Sequence, residues 1–353
     1  MGLLQRFARP EFRPGHSPEG TPDEQGAESD RPPERPAENA PPIAPSVPDQ
    51  GGGSVSGPES VSSEASVRQE APAPAQPATP EAGSSQPAPE PTVPEPEKKT
   101  GVAEVIAFAN QKGGVAKTTT TLNLAVAFAE TGNRVLAVDM DPQGNLTMSQ
   151  GIDPDSVEKS MYDVLVHHIS IREVIRKREV DVACASIDLA GAEIAMSTQI
   201  GRERSLEKAF KPILEDYDFI CIDTPPSLGL LTINALTAAD KVIVPVQCEY
   251  LSMRGLIQLQ NTLSMIRDEL NPDVEIEGIL PTLVDSRTVH AKEAIEILEE
   301  NFGDRVFATR IRKTIRFAEA PVKGTSVLKY DPDGVAAESY RELAKEVLAN
   351  GRR

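Results

Sequence analysis

Lysines at 112 and 117 enclose Gly113, Gly114, Val115 and Ala116, and the hydroxyls of Thr118 and Thr119 follow directly. Cations, glycines and hydroxyls in that order suit a polyphosphate. The glycines let backbone approach anionic oxygens without a Cβ in the way. Lys117, at a helix start, can reach the β- and γ-phosphates, and the Thr118 hydroxyl can ligate Mg²⁺. Gln111 and Ala116 stand at the two glycine positions of the ordinary phosphate-binding loop. The segment instead fits a variant with a second lysine, Lys112, near the start. Three carboxylates complete the inventory: Asp139, Asp141 and Asp223 each end or just follow an apolar run. A carboxylate near a γ-phosphate can orient or deprotonate the attacking water, and another can act on Mg²⁺ through water.

These groups need a scaffold that gathers them. Val105–Ala109 reads as a buried parallel strand, and Thr120–Thr131, with Leu122, Ala125 and Phe128 at helical spacing, reads as a helix ending at Gly132. Further apolar runs at 134–139, 218–222, 241–246, 278–284 and 305–311 are rich in Val, Ile and Leu, as strands covered on both faces should be. Amphipathic stretches at 256–270, 291–300 and 335–349 lie between and after them. Alternating βα units predict an α/β fold, a doubly wound and mostly parallel sheet flanked by helices, with ligand at the carboxyl ends of the strands. The lysine-bearing loop, Asp141 and Asp223 all fall just after strands, so one site collects them.

Composition divides the chain. Residues 1–100 hold 21 of the 31 prolines among many Ser, Gly, Ala and Glu, too little apolar surface to offset the entropy of ordering, and are expected to be a disordered tail. Residues 101–353 are long enough for one α/β domain. No apolar run approaches the ~18 residues of a bilayer span, and no secretory signal is present. Cys184, Cys221 and Cys248 lack C-x-x-C spacing and indicate a reducing, cytoplasmic setting rather than disulfides or a metal cluster. The tail opens on Leu3, Leu4, Phe7 and Phe12 interleaved with Arg6, Arg9 and Arg13, a short amphipathic basic element able to dock on a polar or scaffold partner or an anionic membrane.

The run Asn110–Thr119 resembles the deviant Walker A motif of the ParA/MinD family of ATPases, nearest the ParA (Soj-like) branch that partitions chromosomes and plasmids. Three further blocks match in order: 138–145 (VDMDPQGN), 218–227 (DFICIDTPPS) and 316–321 (RFAEAP). The resemblance runs from about Val102 to near the C-terminus. It implies ATP and Mg²⁺ as ligands, with Gly113–Thr119 holding the nucleotide. Lys112 would cross a dimer interface to the partner's nucleotide, as an arginine finger supplied in trans does. Asp141 would be the hydrolytic residue, with Asp139 in the Mg²⁺ shell and Asp223 as the Walker B carboxylate. The cycle implied is an ATP-dependent homodimer that binds DNA non-specifically through Arg287 and Arg316, is stimulated by a ParB-like partner, and works at the nucleoid. Two departures are visible. Ala116 replaces the usual glycine, which a methyl tolerates if φ stays negative, and Ile311–Thr314 lacks the usual Pro-Arg-Asn of the adenine side.

Charge bears on that reading. Net charge is −18; with the 16 acidic and 8 basic residues of 1–100 set aside, 38 acidic against 28 basic remain, a balance of −10. DNA contact must therefore come from a local patch. The alternative is a MinD-like or cargo-positioning ATPase acting on a membrane or scaffold, but the end of the chain lacks the aromatic-rich basic face that a membrane helix would carry.

Overall fold

A computed structural model describes residues 101–248 and 253–350. The expectations for the tail and its basic start lie outside the described residues. Seven strands form one sheet: β1 (Glu104–Phe108), β2 (Val135–Asp139), β3 (Ile175–Lys177), β4 (Asp181–Ala183), β5 (Phe219–Asp223), β6 (Lys241–Gln247) and β7 (Glu275–Thr282). Their order is β3-β4-β2-β5-β1-β6-β7, parallel except for the β3–β4 hairpin at one edge. The expected doubly wound architecture is present, and β1, sandwiched between β5 and β6, aims its carboxyl end at the loop with the two lysines.

Alternation along the central strands builds two cores. Val105 and Ala107 of β1, Leu136 and Val138 of β2, and Ile220 and Ile222 of β5 face one layer, with Leu231, Leu236, Leu259 and Leu263 from the helices Leu230–Ala238 and Met253–Glu269. Ile106, Phe108, Ala137, Phe219 and Cys221 face the other, against Leu124 and Phe128 of the helix Lys117–Glu130 and Tyr340 and Leu343 of the helix Val335–Asn350. Side chains of successive strand residues point to opposite faces, so strands covered on both sides must be apolar throughout. Phe128 stacks on Phe219 at 4.3 Å between ring centroids. The buried Tyr340 hydroxyl lies 3.3 Å from Thr120 Oγ1, joining the last helix to the one that follows the lysine loop.

The run 305–311 is not a strand of the sheet. It follows β7 through isolated bridges, with Phe307 donating to Ile279 O and Ile311 to Pro281 O. Between them the amides of Ala308 and Thr309 turn instead to the Glu346 carboxylate, at 2.6 and 3.0 Å, and Thr309 Oγ1 joins at 2.8 Å. The ladder is broken because a side chain on the C-terminal helix takes its donors. Gly278 allows the close passage, since a Cβ there would meet the Phe307 ring at 2.4 Å.

Glu346→Ala leaves two backbone donors without a protein partner, and is expected to lower stability by about 1–2 kcal/mol. Urea unfolding that moves by less than the error of the midpoint would show that water replaces the carboxylate without loss.

Candidate active site

The lysine loop is fixed by three strands. Asn110, just past β1, donates from Nδ2 to Pro245 O of β6 at 2.7 Å and accepts the Lys112 amide on Oδ1 at 3.0 Å. Thr282, the last residue of β7, donates to the carbonyl of the buried Val115 at 3.0 Å. Thr118 Oγ1 donates to Asp223 Oδ2, at the end of β5, at 2.6 Å. The helix Lys117–Glu130 then begins with no side-chain cap. Its first amides and positive dipole end face the loop, an arrangement suited to an anion. Sequence reasoning assigned Asn110 and Thr282 no role; Asn110 at least lay inside the motif, whereas Thr282, 167 residues from Val115, left no signal.

A cavity of about 500 Å³ opens here, within the ~300–1,000 Å³ usual for small-molecule sites. Gly113, Gly114, Ala116, Lys117, Thr118, Thr119 and Asp141 line it, joined by Asn145, Pro226 and Pro321 from later segments. The structure therefore brings together the glycines, Lys117, both threonines and Asp141. Lys117 is almost wholly buried and donates from Nζ to the carbonyls of Asn110 and Lys112. Burial lowers its pKa, opposed by the charges of Asp223 and Asp141.

Asp223 is fully buried at the strand end, directly in register with Asp139. Burial raises its pKa well above the ordinary carboxylate value, and the neighbouring Asp139 charge raises it further. Its Oδ1 is buried and has no hydrogen-bond partner. An orphaned buried carboxylate oxygen beside a threonine hydroxyl is an oxygen donor set of the kind Mg²⁺ takes, so Thr118 and Asp223 fit the metal. Asp139 is placed differently. Its Oδ2 accepts the Thr147 amide at 2.9 Å and hydroxyl at 2.7 Å, and its Oδ1 accepts the Asp141 amide at 3.2 Å. Burial lifts it to about 6. Both of its oxygens are engaged by protein donors, which tie this carboxylate to the loop that follows β2.

Lys112 lies outside the cavity lining; its ammonium donates to Gln247 Oε1, at the end of β6, at 3.3 Å. Arg287 lies in a separate cavity of about 500 Å³ with Arg312 and Lys313, and holds Asp285 bidentately at 2.7 and 2.8 Å. Arg316 lines neither cavity: it pairs with Glu319 at 2.7 Å and Asp331 at 3.3 Å, over the Tyr330 ring.

A family model described as an AAA domain matches residues 103–276. The sporulation initiation inhibitor protein Soj of Bacillus subtilis is 48% identical over 253 residues, covering 71% of this chain and 100% of its own. The chain belongs to the ParA/MinD family of P-loop ATPases. The chromosome partitioning protein ParA of Myxococcus xanthus is 42% identical over 250 residues, with 70% of this chain and 88% of that protein covered. Among solved structures, cobyrinic acid a,c-diamide synthase from Mycobacterium smegmatis with bound ATP analog and magnesium shares 40% identity at a TM-score of 0.64, covering 71% of this chain and 96% of that one.

Within this family loop, Ala116 contradicts the expectation of a negative φ. It sits at φ 65, ψ 34, in the left-handed region. Leu283, another residue of the cavity wall, also has positive φ, at 51. Strain of this kind persists where surrounding contacts over-determine the backbone, and here the anchors at Val115 and Thr118 do so. Gly114, at φ 73, takes the same region without the strain a Cβ would bring there, although that Cβ would meet nothing within 4 Å.

Ala116→Gly is accordingly expected to raise stability by about 1 kcal/mol, and Gly114→Ala to lower it by about 1–2 kcal/mol from backbone strain alone. Thermal unfolding of the pair should show shifts of opposite sign, roughly 2–4 °C per kcal/mol. Shifts of the same sign would refute the left-handed loop.

Proposed function

We propose that the chain is an ATP-dependent switch that partitions chromosome or plasmid DNA. ATP drives dimerisation, the dimer binds DNA without sequence preference at the nucleoid, a ParB-like partner stimulates hydrolysis to ADP and phosphate, and the ADP form leaves. The observation that carries this reading is one cavity joining Lys117, Thr118 and Asp141, with Asp223 behind Thr118 and a second lysine outside it. Lys117 supplies charge to the β- and γ-phosphates, and the loop amides cradle them. Thr118 and Asp223 would hold Mg²⁺, which when bound neutralises charge between the phosphates. Asp141 orients or deprotonates the attacking water. The backbone carbonyl of Lys112 accepts from the Lys117 ammonium, so the two lysines of the loop are in contact. The Lys112 ammonium points to Gln247 rather than into its own phosphate cradle, which supports service to a partner's nucleotide.

Two other activities are less well supported. Chemistry through a reactive cysteine thiolate is the first. All three cysteines here are buried, and burial pushes Cys184 and Cys248 up to about 11 and Cys221 higher still. A MinD-like membrane mode needs a free amphipathic helix near the C-terminus. The helix Val335–Asn350 spends its apolar face, Tyr340, Leu343, Ala344 and Val347, on the core. Among the described residues no helix is long and apolar enough to cross a membrane.

Lys112→Ala is expected to bind ATP with near-normal affinity yet stay monomeric in sedimentation or light scattering. A mutant that still dimerises with ATP would sink the trans-lysine assignment.

For DNA, Asp141→Ala should trap the ATP dimer, and in that background binding to unrelated duplexes should be steeply salt-dependent. The slope of log affinity on log salt should be roughly −0.9 per phosphate contact, and avidity of two patches on one dimer should separate it from the monomer. Arg316→Glu, and to a lesser degree Arg287→Glu, should abolish the mobility shift while sparing the dimer. Salt-insensitive binding, or binding unchanged in the Arg316 variant, would move the reading to a membrane or scaffold surface.

A further inference from the structure

Asp141 stands two residues beyond the end of β2, so what fixes its direction is not the sheet but the side chain of Asp139. One Asp139 oxygen accepts the Asp141 amide at 3.2 Å. The other accepts both donors of a single residue, the Thr147 amide at 2.9 Å and hydroxyl at 2.7 Å. The Thr147 hydroxyl is an acceptor as well, taking the Ala185 amide just past β4 at 3.1 Å. A hydroxyl has one proton to donate and lone pairs to accept with; here the proton goes to Asp139 and a lone pair goes to Ala185. Asp139, Thr147 and Ala185 are completely buried and Asp141 nearly so, so water does not compete for any link. The Asp141 carboxylate adds one further constraint, its Oδ1 accepting the Gln143 amide at 3.0 Å.

We propose that Thr147 is a positioning residue for hydrolysis, locking the Asp139 carboxylate so that the loop presents Asp141 to the cavity in one direction. The proposal rests on the switch reading above, in which Asp141 handles the attacking water. If Asp139 loses the hydroxyl, its carboxylate keeps only the Thr147 amide on that oxygen and can turn; the Asp141 amide turns with it. Ala185 is released at the same time, which uncouples the loop from β4. None of the hydrogen bonds in this chain of contacts involves Gly113–Thr119, the segment assigned to the phosphates. Loss of the hydroxyl therefore falls on the chemical step.

Two substitutions separate this role from mere packing. Thr147→Val keeps the shape and removes the hydroxyl; Thr147→Ser keeps the hydroxyl and removes a methyl. A packing role makes Ser the worse variant, and a positioning role makes Val the worse. On the full chain, Thr147→Val should slow single-turnover ATP hydrolysis about 10- to 100-fold, the range that a misplaced catalytic group costs. Its affinity for a fluorescent ATP analogue should stay within about threefold, and Thr147→Ser should turn over within about threefold of the parent. Amide hydrogen exchange of the nucleotide-free chain gives a readout that needs no turnover. Residues 140–145 and Ala185 should exchange faster in the Val variant and at the parental rate in the Ser variant. Parental turnover in Thr147→Val, equal losses in Val and Ser, or unchanged exchange in the Val variant would each overturn the proposal. If the parent itself turns over no ATP, the switch reading fails and the exchange measurement alone decides the positioning role. Asp139→Asn, which keeps the side-chain shape and one acceptor oxygen, should show the same split between intact nucleotide affinity and slowed hydrolysis, and decides the matter if Thr147→Val does not fold. Loss of magnesium-dependent nucleotide binding in Asp139→Asn would overturn the proposal by returning that carboxylate to the metal.

Discussion

Two carboxylates end adjacent parallel strands in direct register, Asp139 on β2 and Asp223 on β5, and neither touches water. Like charges buried side by side are costly, and each must be offset by donors or cations or else neutralised. The rest of the site follows from how that is done. Around Asp139 the offset is local: Thr147 and the Asp141 amide bond both oxygens. Around Asp223 it is incomplete: the Thr118 hydroxyl serves one oxygen, the Lys117 charge acts nearby, and the other oxygen has no hydrogen-bond partner. The two acids are chemically alike but differ in what surrounds them. Asp139 has a donor on each oxygen and holds a loop in shape; Asp223 has one oxygen without a hydrogen-bond partner.

The contact between Thr118 and Asp223 also helps explain why the lysine loop tolerates strain. Thr118 must meet Asp223, Val115 must meet Thr282, and Asn110 must bridge to Pro245, so the backbone between is left with little choice. Ala116 takes a left-handed conformation because its neighbours on both sides are already committed. A glycine would relax it. The chain therefore holds at Ala116 a small store of strain next to the phosphate cradle, where over-determined backbone is usually found.

Legibility from sequence tracked how local each cause was. β1, β2, β5 and β6 announced themselves as near-continuous apolar runs because both faces are covered. β7 begins three residues earlier than its apolar run, at Glu275, since the polar Glu275 and Glu277 precede its buried half. The β3–β4 hairpin passed unnoticed: three-residue strands containing Arg176, Lys177 and Asp181 carry no periodic signal. The run 305–311 read as a strand and is not one, because a glutamate 37 and 38 residues away takes its amides. At the site, the residues of a contiguous motif were legible in place, since Gly113, Gly114, Lys117, Thr118, Thr119 and Asp141 line one cavity, but their anchors at Pro245 and Thr282 were not. The distinction between Asp139 and Asp223 was not, because it depends on Thr147 and Thr118, donors whose approach only the fold decides.

The surface arginines pose the same question in water rather than in the core. Arg287 and Arg316 each already hold carboxylates, Asp285 in one case and Glu319 with Asp331 in the other. In a domain with a balance of −10, such pairs neutralise these arginines locally, so a single copy presents little free positive field to an approaching polyanion. Exposed ion pairs are weak, however, and a phosphate can take the place of a carboxylate with little loss. On the switch reading, a single copy is self-neutralised while two copies held together by nucleotide can exchange several weak internal pairs for several phosphate contacts at once. The avidity then arises from geometry, since no individual arginine has to bind tightly. On that reading an acidic domain is compatible with dimer-dependent DNA binding, and the pairing of Arg287 and Arg316 would matter as much as their number.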